Sequence, residues 1–434
     1  MKSCASVLLG VALALLVFAP ALEALAPGGG NWPQWRGPNR DGVSTETGLF
    51  GDWPASGLPL AWKTIGLGAG FSSVSVTAGR IFSMGDRGGR QFALAFNETD
   101  GKALWATPIA TPTYDDASTG PRGTPTVAGD LLYAISSEGD LVCLETATGR
   151  ERWRKSLAGD FSGQMMSHWR FSESPLVDGD RVVVTPGAAA AGLVALDRRT
   201  GREIWRAALP SSLGPKGRDG AGYSSIVISQ GAGVKQYVQL LGRGLVGVRA
   251  SDGKLLWHYN RVANGTANIP TPVVKGDYVF ASTSYQTGAA LLRLAKTGDG
   301  VQATEVYFLE PTSLQNHHGG FVLVGDYLYG GHGHRLGFPF CLNLASGKFS
   351  WGPNIRNAGQ GSAAVVYADG RLYFRYENGK MLLIEATPEG YKEHGSFDIP
   401  EVHKPSWPHP VIAGGKLYLR EQDNLYCYNV AAPK

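Results

Sequence analysis

The chain has 434 residues, of which 43% are hydrophobic and 18% charged, and a formal net charge of +4. That length supports a large buried core or a repeat array, and 60 glycines point to many tight turns joining many short strands. No basic tract accompanies the small net charge, which excludes an electrostatic footprint for nucleic acid.

The first 21 residues read as a signal peptide. A short basic start, "MKS", precedes "VLLGVALALLVFA", an apolar run too short for an ordinary membrane span. "APA" at Ala19–Ala21 fits a small-x-small cleavage site. A second match, "ALA" at Ala24–Ala26, is followed by Pro27, so the cut is placed between 21 and 26. The expectation is an exported protein, periplasmic or extracellular, monomeric, with no transmembrane segment in the mature chain.

Residues 27–57 precede any repeat. Their Trp-rich stretch "WPQWRGPNRDGVS", Trp32–Ser44, contains the turn sequence "NRDG" and reads as a strap packed across the fold.

From residue 58 the chain repeats itself. "AFNETDGKALW", "LETATGRERW", "LDRRTGREIW", "VRASDGKLLW" and "LNLASGKFSW" end at Trp105, Trp153, Trp205, Trp257 and Trp351. Their turn glycines are Gly101, Gly149, Gly201, Gly253 and Gly347, and worn copies lie at Leu291–Tyr307 and Leu382–Phe397. A period near fifty with strand-rich units predicts a β-propeller. Each unit reads as four strands, with the phrase on the last hairpin. There an acidic residue opens the turn, Gly takes the positive φ, and Trp packs against the next blade.

Innermost strands are expected to begin near Ser72, Thr124, Ser172, Ser224, Pro270, Gly319, Ser362 and Pro410, which makes eight blades. The last unit has only three strands. "LPLAWKT", Leu58–Thr64, supplies the fourth, so the fold class is an all-β, eight-bladed propeller of four-stranded antiparallel blades. An N-terminal strand closes the ring in the last blade, which removes two open sheet edges. Cys143, Cys341 and Cys427 lie in apolar strand-like runs and read as buried small hydrophobes.

The phrase resembles the repeat of the PQQ-binding-like (pyrroloquinoline quinone) β-propeller family, which includes quinoprotein alcohol dehydrogenases and the BamB-type outer-membrane assembly lipoprotein. The resemblance covers residues 58–430. It speaks for the fold and not for an activity, because the phrase lies on the outer hairpin. The "WPQWRGPNRDGVS" stretch and "NHHGG", Asn316–Gly320, resemble segments of exported PQQ-like repeat proteins.

In such a fold the connections entering each innermost strand, and those joining the middle strands, share one face. The residues expected to ring the funnel mouth there are Arg122, Trp169, Glu173, Tyr223, Asn268, His317, His318, Gln360, Trp407 and His409. Arg suits an anion, Glu a proton or a cation, and Trp or Tyr a flat ligand. The bland alternative is that these side chains brace their own loops. His317 and His318, with His332 and His334 of "GGHGHRLG", form two His pairs that suggest a Zn²⁺ or Cu²⁺ site.

Two functions follow. The first is an exported, non-catalytic binding or scaffold module. It has no cofactor, and its funnel mouth takes a small ligand or an envelope protein. The second, implied by the resemblance, is a PQQ-dependent oxidoreductase. Such an enzyme needs Ca²⁺ held by carboxylate and amide oxygens, an Asp base, a basic residue at the quinone and often a disulfide between adjacent cysteines. Arg122, Glu173 and Asn268 imitate some of these parts, and Trp169 or Trp407 is placed to stack on a quinone. The chain has no Cys-Cys pair, which favours the binding module.

Overall fold

The computed structural model describes Met1, residues 30–113 and residues 120–433. The signal-peptide reading, Cys4 and both cleavage matches fall outside these residues.

Among the described residues, thirty-two strands form eight four-stranded antiparallel sheets. Blade two runs Thr126–Ala128, Leu131–Ile135, Asp140–Glu145 and Glu151–Ser156, innermost strand first. The other blades repeat this order. Blade eight consists of Val411–Ala413, Lys416–Glu421 and Asn424–Asn429, completed by Leu60–Thr64 from the start of the ring. The closing strand pairs antiparallel with Asn424–Asn429, with Trp62 opposite Cys427 and Thr64 opposite Leu425.

The core lies between blades. Tyr133, Leu141 and Cys143 of blade two pack with Val182, Val194 and Leu196 of blade three in one buried cluster, and similar clusters recur around the ring. Cys143, Cys341 and Cys427 are free and fully buried.

The repeated Trp and Gly form one joint. Trp105 Nε1 donates to Thr146 O of the next blade at 3.0 Å, Trp153 Nε1 to Arg198 O at 3.0 Å, and Trp205 Nε1 to Ala250 O at 3.2 Å. Each ring covers the neighbouring turn glycine. A Cβ on Gly149 would meet Trp105 at 2.6 Å, one on Gly201 would meet Trp153 at 2.8 Å, and one on Gly253 would meet Trp205 at 2.5 Å. At Gly149, φ of 71° and the Trp105 ring together admit no side chain. In blade five, which lacks the Trp, Tyr307 covers Gly347 and its hydroxyl donates to Leu344 O at 2.7 Å.

The innermost strands begin slightly later than the sequence suggests, at Ser75 rather than Ser72 and at Leu176 rather than Ser172. The entry residues spend their N–H groups on the next blade instead of on the ladder. Thr124 N donates to Ser174 Oγ at 2.8 Å, Ser174 N to Ser225 Oγ at 3.0 Å, and Ser225 N to Thr271 Oγ1 at 3.3 Å. A chain of hydroxyls thus runs through the entries of blades two to five.

Residues 32–44 run along the innermost strands at the centre of the ring. Trp32 exchanges backbone hydrogen bonds with Val76 of blade one, and Pro33 O accepts from Val127 N of blade two. Arg40 donates to Ser174 O and Pro175 O at the entry to blade three, and Arg36 to Phe321 O of blade six. Ser44 N donates to Tyr367 O of blade seven, and Ser44 Oγ to Ile412 O of blade eight. Among the described residues, no helix is long and apolar enough to cross a membrane.

Candidate functional site

The blade connections and residues 32–44 enclose a cavity of about 450 Å³ at the mouth of the ring. Seven of the ten expected funnel residues line it: Arg122, Trp169, Tyr223, His317, His318, Trp407 and His409. His334 lines it as well.

One wall comes from the entries to blades six and eight. His318 and Trp407 meet edge to face, with ring centroids 4.9 Å apart, and Trp407 lies 4.7 Å from Phe71. The segment carrying Trp407 and His409 is held from behind. Arg375 is fully buried. It donates to Ser406 Oγ, to Pro408 O at 2.8 Å and to the buried Glu421 carboxylate at 2.9 Å. That pair fixes the loop backbone, because separating the two charges would leave each one buried without compensation.

The opposite side is built by Trp169 and Tyr223, 5.9 Å apart edge to face. The Tyr223 hydroxyl is held by Ser167 Oγ at 2.7 Å. Arg122 donates to Trp169 O at 3.1 Å, and its guanidinium lies 5.5 Å from the centre of the Phe71 ring.

The third side is a cluster of imidazoles. His317 lies 4.3 Å from His318 and 4.6 Å from His334, centre to centre. His317 Nε2 is 3.0 Å from the Tyr285 hydroxyl, and its Nδ1 is 2.8 Å from Ser362 Oγ. His334 Nδ1 is 3.0 Å from Ser284 Oγ. Burial pushes the His317 imidazolium down to about 2 and that of His318 to about 3, with the neighbouring cationic forms adding to the effect. Burial, and Arg36 beside it, hold His409 well below the usual histidine range. The cluster is therefore neutral at physiological pH.

The sequence reading missed several lining residues. Trp35 and Arg36 floor the cavity from residues 32–44, with Trp35 4.4 Å from His409 and edge to face. Arg36 is 4% exposed and donates to Asp41 O at 2.8 Å. Tyr285, Arg335 and Glu377 come from the middle connections of blades five, six and seven. Arg335 Nη2 lies 3.5 Å from Glu377 Oε1, while Glu377 Oε2 accepts from Ser362 N at 2.9 Å. The signal for these was available in "SYQTG", "GHRLG" and "YENG", which occupy the same place in successive blades.

Glu173, Asn268, Gln360 and His332 are not among the lining residues. Glu173 is buried beneath the cavity, where Thr185 N and Oγ1 both donate to its carboxylate at 2.8 Å. Burial raises its carboxyl to about 7. Asn268 is fully buried and donates to Leu241 O and Gly242 O at 2.9 Å. Gln360 is exposed. His332 Nδ1 accepts from Gln315 N at 3.3 Å. The two His pairs therefore do not converge as a foursome. Among the described residues, no group of three or more His, Cys, Asp or Glu side chains is arranged for a metal ion.

PQQ with Ca²⁺ would need a different set of donors. Calcium takes six to eight oxygen ligands. The described lining offers one carboxylate, Glu377, already engaged by Ser362 and Arg335. The oxygens of Glu173 and Asn268, expected to imitate the quinoprotein parts, are spent on Thr185 and on Asn264. The donor set does not fit the cofactor pair.

The sequence profile of a family described as outer membrane protein assembly factor BamB matches residues 61–353. No curated protein matches the sequence. Among solved structures, BamB from Moraxella catarrhalis superposes with a TM-score of 0.57 at 14% identity, over 85% of this chain and 97% of that one. Quinohemoprotein alcohol dehydrogenase from Comamonas testosteroni superposes with a TM-score of 0.62 at 13% identity, over 93% and 81%. At these identities the likeness is one of fold.

Proposed function

Because the chain belongs to the outer membrane protein assembly factor BamB family, we propose that it is an exported, non-catalytic binding module whose site is the funnel-mouth cavity. The observation that carries this reading is the cavity itself. Its flat aromatic walls and neutral imidazoles suit recognition. Some of its side chains are held in place by neighbours, His317 by Tyr285 and Ser362 and Tyr223 by Ser167. Such preorganisation reduces the ordering loss on binding.

Export is supported by the leader-like start of the sequence and by the family. A small ligand held in the cavity, or an envelope protein that inserts a side chain into it, is the partner this reading implies. The alternative, PQQ-dependent oxidation of alcohols, is disfavoured by the donor set described above.

The test has two arms. The full mature chain is incubated with PQQ, Ca²⁺, a primary alcohol and a dye acceptor, and sustained PQQ-dependent dye reduction overturns the non-catalytic reading. In parallel, a fragment set of aromatic, saccharide and peptide compounds is screened by ligand-observed NMR. Hits are expected to vanish in Trp407→Ala. Hits that all survive in that variant, or a screen without hits, count against the cavity as the site.

A further inference from the structure

The geometry points to an oxyanion receptor at the floor of this cavity, so that its ligand is a small organic acid with a flat apolar body. This inference rests on the cavity being the binding site and adds the class of ligand.

Ser174, Ser225 and Thr271 line the cavity from the entries of three successive blades. Each hydroxyl oxygen is occupied as an acceptor: Ser174 by Thr124 N, Ser225 by Ser174 N, and Thr271 by Ser225 N and Trp35 Nε1. Each hydroxyl keeps its proton to donate. Among the described residues none of those protons has a protein acceptor, so a row of donors faces the cavity.

Charge follows the same sign. In the described lining the guanidiniums of Arg36 and Arg335 stand against the single carboxylate of Glu377. An uncharged sugar makes no use of that positive charge, whereas an oxyanion uses both the charge and the donors. The tilted Trp407–Phe71 pair supplies the apolar face for the body of the ligand.

Three probes of one shape test this: 1-naphthoate, 1-naphthalenesulfonate and 1-naphthylmethanol, titrated into the full mature chain by tryptophan fluorescence and thermal shift. Both anions, or the carboxylate alone, are expected to bind about tenfold tighter than the alcohol, and more weakly as salt rises. Glu377→Gln removes the competing carboxylate and should tighten the anions about threefold, while Arg335→Gln should weaken them by a similar factor. Ser225→Ala should weaken the anions, and Ser225→Thr should restore them.

Alcohol binding as tight as the anions overturns the oxyanion assignment and leaves the cavity standing as a site. Anion affinities indifferent to both charge variants overturn it too. If no probe binds, the assignment falls, and the fragment screen decides the cavity separately.

Discussion

The Tyr285 hydroxyl and His317 Nε2 lie 3.0 Å apart across two blades, and the other ring nitrogen of His317 is 2.8 Å from Ser362 Oγ. Both nitrogens are thus occupied by neutral partners. His317→Ala should lower stability by about 1–3 kcal/mol, read as a fall in Tm with no ligand present, because two hydrogen bonds and a buried ring are lost. The protonation sign also follows. The folded value of about 2 lies below the unfolded histidine value, so the unfolded state takes up the proton first. The full contribution is present above about pH 6.5 and is lost as pH falls toward 2. Denaturant titrations of wild type and His317→Asn should converge as pH falls through that window, and parallel curves would contradict the buried neutral state.

The Trp105–Gly149 joint can be separated from ordinary turn strain. At Gly129, φ is 65° and nothing stands within 4 Å of a would-be Cβ, whereas at Gly149 the Trp105 ring and the Thr107 hydroxyl fill that space. Gly129→Ala should therefore cost about 1 kcal/mol from the backbone alone. Gly149→Ala should cost about 2–4 kcal/mol, since the joint between blades one and two must open. Equal losses in chemical unfolding would refute the joint.

Closure by Leu60–Thr64 predicts a specific failure. Trp62 of this strand covers Gly101 of blade one, and its backbone pairs with Asn424–Asn429. Deleting residues 58–64 bares the edge of blade eight. Size-exclusion chromatography should then show aggregates in place of a monomer peak. A monomer of unchanged Tm would show that the ring does not depend on this strand.

Glu173 predicts a pH effect of opposite sign. Burial raises its folded carboxyl to about 7, above the unfolded value near 4.5. Its contribution is complete below about pH 4.5 and is lost as pH rises through 7, an effect of up to about 3 kcal/mol. Glu173→Gln keeps an acceptor for Thr185 N and cannot ionise. Its stability should not fall between pH 4.5 and 7 as that of the wild type does. Matching pH profiles would remove Glu173 as the titrating group.

The repeat was legible because it is local. A turn, its glycine and the following Trp lie within ten residues, so period, blade number and the orphan strand at Leu60–Thr64 could be counted along the chain. The funnel face was legible in outline for the same reason, as each blade places its connections alike. Which side chains on those connections turn inward was not. Glu173 and Ser174 are adjacent, yet Glu173 is sealed beneath by Thr185 while Ser174 faces the cavity, because successive residues in extended chain point to opposite sides. The floor was legible only as a strap packed across the fold, without its part in the cavity. Arg36 reaches it from a segment outside every repeat and is bonded to Phe321, 285 residues away. Such a contact exists only once the ring has closed, so it leaves no period to read, and tertiary structure alone decides the chemistry of the site.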